Sequence, residues 1–333
     1  MRFGPVPVEE AVGCVSAHSV RAGEVRLAKG GVVTAEDAAR LRRAGVATLV
    51  VAGLDPGDIG EDEAAHRLAL AAAGEGVRVA PPFTGRANLF AAEAGVLVVC
   101  RRAVDAVNAV DEAITLATLA DSKPVAAGEM VATVKIIPYA VAGAPLGRAL
   151  DLSGRTLLRV APYRRPRVAV ISTTTPALKP SVVPKTLSVL ARRLAPAGAA
   201  ITRQVEVAHE AGALAAALAE AAPAADLVVV FGASAIADRR DVIPAALEQA
   251  GGRVEHLGMP VDPGNLLMVG ALGAVPVVGA PGCARSPAEN GFDWALHRLL
   301  ADLPVTRAEI VRLGVGGLLM EIVSRPQPRG GEG

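Results

Sequence analysis

The chain has 333 residues, 34 Lys+Arg against 33 Asp+Glu, and a net charge of +1. That length exceeds one ordinary core and implies two or three domains, while near-neutrality and 2% aromatic residues remove the basic stripe and stacking platform of a nucleic-acid binder. The 52% hydrophobic fraction is mostly Ala and Val interrupted by Arg, Gly and Pro, so no run reaches the roughly 18 apolar residues of a membrane-spanning helix.

At the N-terminus, MRFGPVPVEEAVG has no basic stretch leading into an apolar core, so we expect no secretory signal and a cytoplasmic protein. Cys14, Cys100 and Cys283 are too far apart for a zinc knuckle or a disulfide framework, which fits a reducing compartment. Thr34 is a candidate N-cap for a helix through AEDAARLRRAG, with Glu36 and Asp37 at its positive end and Gly45 at its close. Residues 46–51 read as a strand, 55–58 as a turn, 60–73 as a second helix led by acids, 77–80 as a short strand and 81–86 as a loop. A third helix is expected over 104–119, with Val107, Val110 and Ile114 on one side. VATVKII, 131–137, reads as a strand that sets Lys135 between apolar neighbours. From 143 to 166 periodicity fades and Gly, Pro and Arg accumulate, the pattern of a domain boundary. The basic stretch Tyr163-Arg-Arg-Pro-Arg167 reads there as a solvated linker.

Beyond it the rhythm is regular. Strands over 167–171, 200–207, 226–231, 253–257 and 275–279 alternate with helices over 184–195, 210–221 and 243–250, and one more helix covers 292–300. This predicts an α/β protein: a C-terminal doubly wound, Rossmann-like, mostly parallel sheet behind an N-terminal α+β domain. The expected division is 1–160, an N-terminal domain of unassigned role; 161–306, the α/β domain; and 307–333, a docked segment and a disordered tail containing Arg325-Pro-Gln-Pro-Arg329. Three strands run into small, hydroxyl or Pro-Gly residues: Ser172-Thr173-Thr174-Thr175-Pro176, Gly232-Ala233-Ser234-Ala235, and Gly279 to Pro287. Parallel in one sheet, they converge on one edge and line one crevice.

Arg239-Arg240-Asp241-Val242-Ile243-Pro244, Asp262-Pro263-Gly264-Asn265 and Ala280-Pro281-Gly282-Cys283 follow one another in the order seen in the domain shared by molybdopterin adenylyltransferases and molybdopterin molybdenumtransferases. Residues 167–304 resemble that molybdopterin-binding domain; the first half is similar to the molybdenumtransferase front region only at KGGVVTAEDAARLRRAGV. The whole resembles the standalone form of a module that in longer relatives precedes a nucleotidyltransferase domain. It also departs from the family: Gly232-Ala233 stands for Gly-Gly, Thr173-Thr174-Thr175 for Thr-Gly-Asp/Glu, Pro263-Gly264-Asn265-Leu266 for Pro-Gly-Lys-Pro, and Pro281-Gly282-Cys283-Ala284 for Pro-Gly-Asn-Pro.

The resemblance implies a molybdopterin-binding protein of molybdenum-cofactor biosynthesis or handling, with molybdopterin or its nucleotide derivative as ligand or substrate. An active adenylyl- or molybdenumtransferase, and a non-catalytic chaperone serving a molybdenum enzyme or a nucleotidyltransferase partner, are the other readings. Ala-rich faces fit a homo-oligomer. Thr173, Thr174, Thr175, Gly232, Ala233, Ser234, Pro263, Gly264, Asn265, Pro281, Gly282, Cys283, Arg285 and Ser286 are the implied ligand contacts. Asp241 and Asp238 are the implied catalytic acids. Each has a plainer alternative. Asp241 suits a magnesium ion bridging substrate phosphates or a helix N-cap before Pro244. Asp238 suits a second acid or a solvated loop charge. The hydroxyls of 172–175 and Ser234 suit a phosphate cradle or turn chemistry. Gly264 and Gly282 suit a close-lying ligand or tight turns, and Cys283 a reactive thiol or a small buried residue. His209 and His256 have no second ligand at metal-binding spacing, and Trp294 is expected in the core.

Overall fold

A computed structural model describes residues 1–154 and 157–320. One unit is Met1–Glu93 with Leu97–Val160; the other is Ala94–Val96 with the chain from Ala161 onward. Arg325 to Arg329 of the expected tail lies outside the described residues.

The first unit holds two cores. In the smaller, Thr48–Gly53 is the central strand of an antiparallel sheet between Arg2–Pro7 and Val15–Ser16. The helix Ala35–Arg43 starts on a capping box, with Thr34 Oγ1 accepting from the Asp37 amide at 3.0 Å and the Thr34 amide donating to the Asp37 carboxylate at 3.1 Å. It lays Ala38 and Leu41 against Val8, Leu27, Val33, Leu49 and Val51. In the larger core the helix Glu61–Ala72 covers a four-stranded sheet and packs Ala64, Leu68 and Ala69 with Leu89, Val134 and Ile136. Lys135, expected between apolar neighbours, turns its amine to the Thr84 carbonyl at 2.6 Å and to Glu61 at 3.3 Å.

Two expectations for this half are corrected. The helix read over 104–119 is Arg101–Asn108 followed by a strand, Ile114–Thr118, antiparallel to Met130–Ile136. The Asn108 side chain makes the break. Its amide donates to the Leu116 carbonyl at 2.9 Å and its oxygen accepts from the Leu116 amide at 2.7 Å, while β-branched Ile114, Thr115 and Thr118 favour the pleat. The fading stretch 143–166 carries a helix, Gly143–Ser153, and a strand, Leu158–Pro162. Pro145 falls in the helix's first turn, where its missing N–H costs nothing, and Leu146, Ala149 and Ser153 form the buried stripe.

In the second unit the strands are β1 (Arg167–Thr174), β2 (Ala200–Ala208), β3 (Leu227–Phe231), β4 (Arg253–Leu257), β5 (Met268–Leu272) and β6 (Val275–Ala280). They form one sheet in the order β2-β1-β3-β6-β5-β4, with β2, β1, β3 and β6 parallel and β5 antiparallel to both neighbours. The domain is a largely parallel, mixed sheet. β5 is the strand that sequence patterning does not announce, because Gly270 interrupts it and Gly273 follows its last residue. A Cβ at Gly270 would lie 2.5 Å from the Arg253 carbonyl and from Leu247, so the glycine there serves close packing.

Helices α1 (Val182–Leu194) and α4 (Gly291–Leu300) cover one face; α2 (Ala211–Ala221) and α3 (Val242–Gln249) cover the other. Strand alternation serves both layers: Leu227, Val229 and Phe231 join Leu190, Phe292 and Leu296, whereas Val228 and Val230 join Leu214, Leu218 and Leu247. All five β3 residues are at most 1% exposed. That two-sided burial is why β3 reads as an unbroken apolar run.

The 163–167 stretch is not a solvated linker. Arg167 grips Asp226 through two nitrogens, at 2.8 and 3.2 Å, and Arg165 reaches the Asp226 carbonyl at 2.9 Å and Asp302 at 2.5 Å. Tyr163 bonds His297 Nδ1 at 2.8 Å. Burial pushes Tyr163 up to about 12 and holds His297 below the ordinary histidine value. His256 is lowered as well, by burial and then by Arg307 and Arg239. An unfolded histidine therefore takes up a proton that the folded one refuses. This contribution to stability is complete above the unfolded value of about 6.5 and is lost as pH falls below it. Urea midpoints measured on either side of that pH should drop on acidification, and less steeply in His297→Asn; identical pH profiles for the two proteins would contradict this.

Candidate functional site

Because β1, β3 and β6 run parallel, Thr174, Phe231 and Ala280 all leave the sheet at one edge. β5 runs the other way and enters there, with Met268 opposite Gly279, so the 258–267 loop joins the same edge. Four chain segments carrying the expected ligand contacts thus meet along one border of the sheet.

Hydrogen bonds tie the exits of β1 and β3 to that of the parallel edge strand β2. Thr173, 1% exposed, accepts the Ala233 amide at 2.9 Å, and its Oγ1 lies 2.8 Å from His209 Nδ1. His209 Nε2 lies 3.0 Å from Ser234 Oγ, which is exposed. Thr174 Oγ1 donates to the Val207 carbonyl at 3.3 Å, and the Thr175 carbonyl accepts from Leu178 at 3.0 Å in a turn. Ser172 is buried, paired with Phe231 in the ladder. Gly232 is required by its surroundings, since a Cβ would sit 2.6 Å from the Ser234 carbonyl and 3.0 Å from Ile243.

The β6 exit, a single 3-10 turn over Gly282–Arg285, brings the cation. Half-buried Arg285 donates to Thr186 Oγ1 at 2.7 Å and to the Gly232 carbonyl at 2.8 Å, with its guanidinium 5.3 Å from the centre of the Phe231 ring. Among the described residues no carboxylate lies within ion-pair distance of it. Burial lowers its pKa, as a charge removed from water without a counter-ion must. Behind this turn, Arg193 of α1 pairs with Asp293 at 2.5 Å and donates to the carbonyls of Ala284, Ser286 and Ala288 at 2.9, 2.7 and 3.0 Å.

Pro263 and Gly264 lie against the start of α4: the Pro263 carbonyl accepts from Gly291 at 2.8 Å, and a Cβ on Gly264 would be 2.7 Å from the Gly291 nitrogen. Close packing therefore accounts for Gly264. Gly282 is exposed, and a Cβ added there would meet nothing within 4 Å; the Cys283 thiol is half-buried and pushed up by burial. Asn265 and Ser286 are exposed. Asp241 caps α3: one carboxylate oxygen accepts from Val242 at 2.7 Å and the other from Ala237 at 3.0 Å. Asp238 is exposed and paired with Arg240, which holds its carboxyl below the usual range. Trp294 is half-buried against the core, with its indole N–H donating to Glu289 at 3.0 Å.

Gly232→Ala should cost about 1–3 kcal/mol through overpacking, whereas Gly282→Ala should be close to neutral. Equal urea midpoints for the two variants would refute the packing argument.

Sequence reasoning passed over three members of this arrangement. His209 lacked a metal-binding companion, and its exit carries no run of small residues. Thr186 and Arg193 lie inside a helix, and their partners are about 100 residues away. A search of every strand exit, including the edge strand β2, would have reached His209.

The second unit is a doubly wound α/β domain with polar side chains gathered at its strand exits, the class that seats small ligands at the carboxyl ends of its strands. Residues 169–301 match the family described as a probable molybdopterin binding domain, so the chain carries a domain of the molybdopterin-binding, cofactor-biosynthesis type. A domain of unknown function (DUF8806) matches residues 5–53. Similar solved structures include a molybdopterin biosynthesis moeA protein from Pyrococcus horikoshii, at 16% identity over 90% of this chain and 75% of that one, TM-score 0.31. A molybdenum cofactor biosynthesis protein from Pyrococcus furiosus is 12% identical over 92% and 66%, TM-score 0.28. The CinA protein of unknown function from Thermoplasma acidophilum is 19% identical over 37% and 89%, TM-score 0.27. No curated protein matches the sequence. Among the described residues no helix is long and apolar enough to cross a membrane.

Proposed function

We propose that the second unit binds molybdopterin or its nucleotide derivative with the phosphate-bearing end at the strand exits, as a cytoplasmic protein of cofactor biosynthesis or handling. The observation that carries this is Arg285, a half-buried guanidinium with no carboxylate partner among the described residues. It stands beside the exposed Ser234 hydroxyl's loop and the open backbone of Gly282. A cation held out of water without a counter-ion favours an anionic ligand, and phosphate suits a planar donor fork. The chain's own contribution is placement of the ligand.

Magnesium does not fit as a resident ion. Asp241 spends both oxygens on backbone amides, and no group of three His, Cys, Asp or Glu residues is placed to hold a metal among the described residues. Equilibrium titration with molybdopterin, followed by pterin fluorescence, tests the reading: saturable binding weakened about tenfold or more in Arg285→Met supports it, and no binding by the wild-type chain removes it. Adenylyl or molybdate transfer at the same site is tested by adding magnesium and ATP, or adenylylated molybdopterin and molybdate. Turnover abolished in Asp241→Asn would mark a transferase; tight binding without turnover would mark a carrier serving a molybdenum enzyme or nucleotidyltransferase.

A further inference from the structure

Three side chains from three strand exits form one relay, Thr173 Oγ1 to His209 Nδ1 at 2.8 Å and His209 Nε2 to Ser234 Oγ at 3.0 Å, with the Ala233 amide donating into Thr173 at 2.9 Å. The neutral imidazole has one donor and one acceptor nitrogen, so the relay runs in one of two directions. In one, Thr173 donates to Nδ1 and Nε2–H donates to Ser234, leaving the hydrogen of exposed Ser234 free to point outward from the strand exits. In the other, Ser234 spends its hydrogen on Nε2 and presents only lone pairs outward. A phosphate oxygen accepts hydrogen bonds, so only the first direction suits it. The Ala233 amide pushes the same way, because a hydroxyl that already accepts one bond is polarised to donate the next.

We infer that His209 is a positioning residue for the ligand's anionic group: its Nε2–H holds Ser234 as a hydrogen-bond donor toward a phosphate oxygen. This rests on the reading above for the anionic character of the ligand. Thr173, buried and already bonded to the Ala233 amide, fixes the ring's orientation, and Ser234, exposed, makes the contact. His209 thus acts through Ser234.

The two hydrogen bonds of the ring can be separated by substitution. His209→Gln places an amide N–H near the position of Nε2 and keeps a donor for Ser234; His209→Asn places its amide near Nδ1 and keeps only the bond to Thr173. With inorganic pyrophosphate as the probe, His209→Gln should bind within a few-fold of wild type. His209→Asn should bind about tenfold more weakly, the equivalent of one lost hydrogen bond, and adding Ser234→Ala should weaken it little further. Unfolding midpoints should rank the other way, with Asn closer to wild type than Gln. A relay that merely staples the loops would make affinity follow stability in both variants, and that result overturns the inference, as does failure of pyrophosphate to bind the wild-type chain. The ¹⁵N resonances of His209 give a second readout: protonation at Nε2 is expected in the pyrophosphate complex, and a proton on Nδ1 alone contradicts it. If pyrophosphate shows this pattern and molybdopterin does not bind, the functional reading falls and His209 keeps its role. Molybdopterin binding without pyrophosphate binding gives the converse.

Discussion

Replacing Arg193 by Met is expected to destabilise the second unit by about 3–5 kcal/mol, the range for breaking one side of a buried ion pair. The Arg193 side chain is 9% exposed and its partner Asp293 13%. Its remaining donors serve three loop carbonyls, and the guanidinium lies 6.0 Å from the centre of the Phe292 ring. Methionine would keep the apolar stem and strand the rest: an uncompensated carboxylate in Asp293 and carbonyls at 284 and 286 without their side-chain donor, while that of Ala288 keeps only the Asn290 amide. Since that loop holds Arg285 in place, ligand affinity should fall together with stability. Urea unfolding followed by circular dichroism measures the first effect; a change under about 1 kcal/mol, the size of an ordinary surface contact, would show that the loop is held by something else.

The second large effect has the opposite signature. Arg285→Met should lower ligand affinity about tenfold to a hundredfold, the loss of a charge-assisted contact of roughly 1.5–3 kcal/mol, while the unfolding midpoint stays or rises. The native chain gives Arg285 two neutral acceptors, Thr186 and the Gly232 carbonyl, and an aromatic face, with no counter-ion among the described residues to offset its partial desolvation. Removing it therefore relieves a strain that only an anionic ligand offsets. A fall in stability equal to that of Arg193→Met would mean that Arg285 is a structural clamp, and the binding reading would lose its main support.

Much of the second unit was legible because its elements obey local rules. The run Leu227–Phe231 is apolar because both faces of β3 are covered, and the Ala-rich α2 and the capped start of α3 carry their own helix signals. The elements that were missed depend on distant partners. Nothing local at Asn108 says that its side chain will clamp Leu116 and end a helix, and Gly270 reads as a break until Leu247 is seen packed against it. The candidate site divides in the same way. The small-residue exits at Thr173, Gly232 and Gly282 declare themselves, and Asp241 proves to be a helix cap with both oxygens engaged. His209 and Arg193 acquire meaning only when strand order brings residues 173, 234 and 293 beside them. The first unit was less legible than the second, since short strands and a helix rich in Gly and Pro give weak periodicity. The match over residues 5–53 adds no assigned role for it.

The strand exits of the second unit are the proposed binding site, and a structure of the protein crystallised with molybdopterin tests that placement. The phosphate should lie within hydrogen-bonding distance of Ser234 Oγ and the Arg285 guanidinium, past the ends of β1, β3 and β6. Density for the pterin in the first unit instead, for example in the cavity of about 190 Å³ lined by Arg2, Phe3, Cys14 and Gly53, with the strand exits of the second unit empty, would contradict it.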